Sequence, residues 1–193
     1  MDEREKIFGR LVKRKPESVP LVYLPDDQPV TDELIDRFTE NLRVSGGSVI
    51  RAGKETLTEI LKKHIPGSGD SVNLSKHYVS EDLMHDHSLD PGQIDHVDLL
   101  ILDGSIGVAE NGAVWIPEVQ SGERRLPFIA RKIMIILNKQ NLVFDLSQAY
   151  RKIDLSRIEF GLWIAGPSKT ADIEQSLVIG AQGALQHTVI IAD

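Results

Sequence analysis

The chain has 193 residues, 41% of them hydrophobic, a formal net charge of −7 and no cysteine. That length suits one compact domain, or one domain with an extension, and the apolar share supplies a real core. The acidic balance argues against nucleic acid as a partner, and the lack of cysteine excludes disulfides, thiolate-ligated iron–sulfur clusters and a cysteine nucleophile.

The start of the chain, Met1-Asp2-Glu3-Arg4-Glu5-Lys6, lacks the apolar core and cleavage site of a signal peptide. The longest apolar runs, such as Ile133-Met134-Ile135-Ile136-Leu137, are too short to span a bilayer. The expectation is a cytoplasmic protein with no membrane span. Ile7, Phe8 and Leu11 fall at helical spacing, so a short N-terminal helix is expected, followed by a linker punctuated by Pro16, Pro20 and Pro25. Residues 1–30 thus read as a helical arm and residues 31–193 as the main domain.

From Thr31 the pattern alternates between helix and strand. Thr31 and Asp32 can cap a helix with Leu34, Ile35, Phe38 and Leu42 on one face, ended by Gly46-Gly47. Ser48-Val49-Ile50 reads as a strand. A second helix carries Leu57, Ile60 and Leu61 inward, with Lys62, Lys63 and His64 at its negative end before Pro66-Gly67. Residues 70–96 are polar and irregular, with a short strand possible at Val72-Asn73-Leu74. Val97–Leu102 and Ile133–Leu137 are buried-strand candidates. Between them, Asn111-Gly112 separates two alternating runs, the pattern of a hairpin turn. A helix around Gln148-Ala149-Tyr150, a strand over 160–165 and a last strand at Thr188-Val189-Ile190-Ile191 complete the pattern. The fold class is α/β: a three-layer, mostly parallel sheet with a local hairpin, preceded by the arm.

Gly166-Pro167-Ser168-Lys169-Thr170-Ala171-Asp172-Ile173-Glu174 follows a strand, turns at Gly-Pro and reads as entering a helix. Outward-pointing amides with Ser168, Lys169 and Thr170 could cradle a carboxylate or phosphate there. It is not a Walker loop, because Pro167 stands where the phosphate-binding lysine would be. A capped strand-to-helix turn with Asp172 and Glu174 at the positive helix end is the competing explanation. His85-Asp86-His87, with His77, Asp90, Asp95 and His96, raises a metal hypothesis, but the fixed spacing of zinc motifs is missing and no metal is assigned. Trp115 and Trp163 fall in strands and should pack in or beside the core.

The run from Gly166 to Ile191 resembles the C-terminal signature of the LUD (lactate utilisation) domain family in its LutC/YkgG branch. Weaker resemblance extends upstream to about residue 45. Two departures stand out: Gln182 replaces a histidine common in the family, and Asn111 and Ala113 replace two threonines. The Glu110-Asn111-Gly112 triplet is similar to the one that bears the glutamate nucleophile of class I CoA-transferases. The resemblance implies a NagB/RpiA/CoA-transferase-like fold and a role beside the iron–sulfur subunits of a system oxidising L-lactate to pyruvate. This chain, with no thiolate to ligate a cluster, would be an accessory or ligand-binding subunit carrying no cofactor of its own. The ligand expected is a small carboxylate or phosphorylated compound near Glu110, Asn111, Gly112, Gly166, Ser168, Lys169, Thr170 and Asp172. Arg124, before the Leu126-Pro127 strand entry, is a further candidate anion ligand beside Arg125. Two alternatives stay open. One is an independent CoA-transferase-like or sugar-phosphate enzyme using Glu110, with Glu110 as a mere hairpin flank against it. The other is a non-catalytic structural or regulatory partner.

Overall fold

A computed structural model describes residues 4, 9, 29–53, 56–66, 70–78, 97–117, 124–154, 156, 160–170, 178–180 and 183–193. Of the stretch expected to form an N-terminal arm, Arg4 and Gly9 are helical, and the rest of 1–28 lies outside the described residues.

Helix α1 (Asp32–Val44) begins where Thr31 accepts a hydrogen bond from the Leu34 amide, and Asp32 and Glu33 complement its positive end. Leu34, Ile35, Phe38 and Leu42 are its buried face, as the spacing predicts. At its far end the Gly47 amide reaches the Leu42 carbonyl and the Gly46 amide reaches Arg43. Gly46 has φ of 87°, so this is a Schellman stop, a conformation that glycine adopts without a Cβ penalty. Strand β1 (Ser48–Arg51) follows, then α2 (Leu57–His64), whose Thr56 and Glu59 cap each other's backbone amides reciprocally. Next come β2 (Asp70–Asn73), β3 (Val97–Gly104), β4 (Ile106–Val108) and β5 (Ala113–Pro117). A single turn α3 (Leu126–Ile129) leads into β6 (Lys132–Asn138). A 3-10 turn at Lys139–Asn141, then β7 (Leu142–Val143), α4 (Leu146–Lys152), β8 (Gly161–Ile164), β9 (Lys169–Thr170), β10 (Val178–Ile179) and β11 (Gln186–Ala192) complete the order.

The main sheet has the order β1-β11-β6-β3-β2, and every neighbouring pair is parallel. Its central strands are covered on both faces, which is why they read as apolar runs rather than alternations. Strand periodicity still sorts the side chains. Leu100, Leu102, Ile133, Ile135, Leu137, Val189 and Ile191 join α1 in one cluster, while Leu99, Ile101, Met134, Ile136 and Ile190 join Ile60, Leu61 and Tyr78 of the α2 side.

The hairpin is not part of this sheet. Strands β4 and β5 form the centre of a separate four-stranded sheet, ordered β7-β4-β5-β8, with β8 antiparallel to β5. Val114 and Ile116 point from it into the α1 cluster, and Trp115 points the other way with Ile106, Val108 and Ala149 of α4. Trp163 packs on Trp115 with ring centroids 5.1 Å apart, across the register pair that joins β5 to β8. Both tryptophans pack as expected. The strand expected over 160–165 thus belongs to this second layer, because side-chain alternation does not tell a strand which sheet it will join.

Two local expectations change. The hairpin loop is four residues long, since Val108 pairs with Ala113 and the Ala109 amide is drawn away to the Val143 carbonyl. After Gly166-Pro167 the chain does not enter a helix at once: Lys169 and Thr170 form β9, antiparallel to β10. Asp172 and Glu174 lie outside the described residues, as do Gln182 and the His85–His96 group.

Candidate functional site

In a parallel sheet the strand ends that carry free carbonyl groups and loops face one way, and ligands gather in the crevice outside those carboxyl ends. Here the carboxyl ends of four adjacent strands, at Ala52, Gly104, Asn138 and Ala192, line one cleft of about 620 Å³. Thr56, His77, Gln140, Asn141 and Asp193 supply its other polar groups. A second cleft of about 290 Å³ adjoins it and shares His77, Gly104 and Asn141, adding Lys76, Asp103 and Ser105. His77 therefore stands at the divide between the two.

The position of His77 is built from the residues around it. Asn73, the buried last residue of β2, receives the Ser75 amide on its side-chain oxygen and donates its NH2 to the Tyr78 carbonyl. Those two bonds fold 73–78 into a tight turn. The Ser75 hydroxyl accepts the amides of His77 and Tyr78, at 3.0 and 3.2 Å, and donates to Asp103 Oδ1. Asp103 lies near the end of β3. Its Oδ2 receives the Lys76 amide at 2.7 Å and lies 3.0 Å from His77 Nδ1. The carboxylate is largely covered, with 22% of its side chain exposed, whereas His77 is 71% exposed to the clefts. An anchored acceptor beneath an accessible imidazole can orient that ring for hydrogen bonding or proton transfer.

The N-terminus of α2 also faces the larger cleft through Thr56 and Leu57. Its own Glu59 occupies it: the Thr56 amide donates to Glu59 Oε2 at 2.8 Å, which holds the Glu59 carboxyl below the usual range. Part of the anion-binding capacity of this helix end is therefore already used. Lys139 pairs with Asp193 at the rim. Among the described residues, no group of three or more histidine, aspartate or glutamate side chains is placed to hold a metal ion.

The residues singled out by sequence are placed elsewhere. Glu110 is exposed and its Oε2 accepts the Leu146 amide at 3.2 Å, at the start of α4. Asn111 accepts the Ala113 amide, and Gly112 lies against the backbone of Leu42. Arg124 lies over the Phe160 ring, 5.0 Å from its centroid. The Gly166 amide donates to His187 Nδ1 and the Ser168 amide to the Ala184 carbonyl, so both amides have acceptors inside the chain. Gly166 and Ser168 line a small, mainly apolar cleft of about 210 Å³ with Phe128, Leu162 and Ala184, whose lining does not include Glu110, Asn111 or Gly112. Lys169 is exposed on β9. Arg51, the last residue of β1, pairs with Asp36 of α1.

The LUD domain model matches residues 92–192, from just before β3 to β11. The chain belongs to the LUD domain family. It is similar to lactate utilization protein C of Oceanobacillus iheyensis, 25% identical over 189 residues covering 84% of this chain and 81% of that protein. It is also similar to lactate utilization protein C of Shouchella clausii, 34% identical over 106 residues covering 52% of this chain and 46% of that one. A crystal structure of a DUF162 family protein from Deinococcus radiodurans superposes with a TM-score of 0.63 at 14% identity, over 84% of this chain and 98% of that one. At that identity the likeness speaks for a shared α/β fold alone.

Within the LUD match lie Asp103, Gly104, Asn138 and Asn141, while Thr56, Lys76 and His77 come from the segment before it. In the sequence His77 stands out only through its loose grouping with other histidines and aspartates, and Asp103 belongs to no motif. A usable signal was present: Asn73-Leu74-Ser75-Lys76-His77 follows one strand, and Asp103-Gly104 closes the next. Polar residues just past the carboxyl ends of buried parallel strands mark where a LUD-type sheet opens to solvent.

Proposed function

We propose that this chain is the small-acid-binding component of a lactate-utilisation system, taking a 2-hydroxy or 2-oxo monocarboxylate at the cleft pair around His77. One observation carries the reading: an accessible imidazole, with the Asp103 carboxylate 3.0 Å from its Nδ1, at the meeting of two clefts on the carboxyl edge of the sheet. Lys76, in the smaller cleft, supplies a cation for the carboxylate. The lactate assignment comes from the relatives named lactate utilization protein C. In the fuller version of this proposal the chain works beside iron–sulfur subunits that oxidise L-lactate to pyruvate, and those subunits hold the clusters, because this sequence has no cysteine. Among the described residues no helix is long and apolar enough to cross a membrane.

The test is a thermal-shift and calorimetry panel on the purified chain, with lactate, pyruvate, glycolate, CoA esters and sugar phosphates. A ligand that binds only the native state raises the melting temperature by mass action. Stabilisation by the short 2-substituted acids, abolished in His77→Ala and Lys76→Ala but kept in Glu110→Gln, is the expected result. A response confined to CoA esters or sugar phosphates and lost in Glu110→Gln would instead move the site to the hairpin turn and revive the CoA-transferase-like alternative. A flat panel would leave a purely structural or regulatory partner.

A further inference from the structure

Resting on the small-acid reading above, the geometry points to a chemical preference: we infer that the Asp103–Ser75–His77 network makes this cleft selective for the 2-hydroxy acid over the 2-oxo acid. The Ser75 oxygen accepts two backbone amides, from His77 and Tyr78, so its own hydroxyl proton is left to point at Asp103 Oδ1. The Lys76 amide can only donate, and it points at Oδ2. Asp103 is thereby surrounded by donors and acts as an acceptor alone. Among the described residues the remaining neighbour of Oδ2 is His77 Nδ1, at 3.0 Å; a bare lone pair there would face the carboxylate, so in the neutral ring the proton is favoured on Nδ1.

A neutral imidazole holds one N–H and one bare nitrogen, and fixing the first decides the second. With Nδ1 protonated, Nε2 is an acceptor. It has no hydrogen-bond partner among the described residues, and the ring that carries it lines both clefts. A hydroxyl on C2 of a bound acid can donate to Nε2. A ketone oxygen at the same place has no proton to give and sets one lone pair against another. The two acids share the carboxylate and nearly the same shape, so contacts elsewhere in the cleft scarcely separate them. This proton arrangement does. One neutral hydrogen bond made or withheld corresponds to about tenfold in affinity.

Two measurements test this together in mildly alkaline buffer. Long-range proton–nitrogen correlation spectra of the 15N-labelled full chain, with His77→Gln to assign the ring, read the tautomer without any ligand. A pyrrole-type Nδ1 and a pyridine-type Nε2 are expected. Calorimetry then compares L-lactate, pyruvate and 2-methoxypropionate, which keeps the C2 oxygen but lacks its proton. Lactate should bind about tenfold tighter than either. Asp103→Asn, whose side-chain amide no longer enforces the tautomer, should narrow that ratio while circular dichroism confirms the fold. A pyridine-type Nδ1, or equal binding of lactate and pyruvate with Nδ1 protonated, overturns the inference but leaves the acid site standing. Failure of all three acids to bind, with the tautomer as stated, overturns the acid-site reading itself and the selectivity falls with it.

Discussion

The Gly166 amide donates to Nδ1 of His187 across 3.1 Å, in a place where His187 is only 2% exposed. Nδ1 must therefore be unprotonated, and Nε2 carries the proton with no partner among the described residues. Burial lowers the pKa of this ring from 6.5 to about 4. Because the folded value is depressed, the unfolded chain binds more protons between these two values. The contribution to stability is intact above pH 6.5 and is lost as pH falls towards 4, by at most about 3 kcal/mol. Urea melts across that range should show the decline. In His187→Asn, whose side-chain oxygen can still accept the Gly166 amide but cannot titrate, the slope should be shallower. An unchanged slope would assign the acid sensitivity to other groups.

Gly112 has φ of 70°, and a Cβ there would lie 2.5 Å from the backbone nitrogen of Leu42. Gly112→Ala adds a strained backbone to a clash with the end of α1 that no side-chain rotation relieves. A loss of about 2–4 kcal/mol is expected in chemical denaturation. Gly53, where a Cβ meets nothing within 4 Å, provides the control: Gly53→Ala should be close to neutral.

Tyr78 is buried at 3% exposure, and its hydroxyl has no hydrogen-bond partner among the described residues. An unsatisfied buried hydroxyl costs desolvation without return, so Tyr78→Phe should leave stability unchanged or raise it by about 1 kcal/mol. A marked loss of stability would show that the hydroxyl does have a partner.

Phe38 is fully buried in the α1 cluster, and Phe38→Ala should cost about 3–5 kcal/mol. Phe144 offers the contrast. It is 41% exposed, with the Arg37 guanidinium 4.3 Å from its ring centroid, so Phe144→Ala should cost about 1 kcal/mol or less. Comparing the two melts separates core packing from a surface cation–π contact.

Much of the fold was legible because it is written in local periodicity. Leu34, Ile35, Phe38 and Leu42 announce α1 at helical spacing, and Thr31 marks its start. The apolar runs of β3, β6 and β11 announce strands covered on both faces. What stayed hidden depends on which strand meets which. Nothing near Leu162 or Trp163 says that β8 joins β5 rather than the parallel sheet. The same holds for the site. His77 and Asp103 meet only because β2 lies beside β3, with Asn73 in register with Ile101, which carries the turn after one strand onto the end of the other. The signature from Gly166 to Glu174 was the most recognisable stretch, yet two of its amides serve internal hydrogen bonds. A recognisable motif locates kinship more readily than chemistry.

Strand β11 lies between β1 and β6, pairing Ser48 with Thr188 on one side and Met134 with Thr188 on the other. During synthesis β1 therefore emerges long before the neighbour that will hold it, and both β1 and β6 wait with an open backbone edge. Contacts of such long sequence separation form slowly and leave unpaired edges exposed to other nascent chains. Recombinant yield should consequently respond to translation speed and temperature more than the finished protein's stability would suggest.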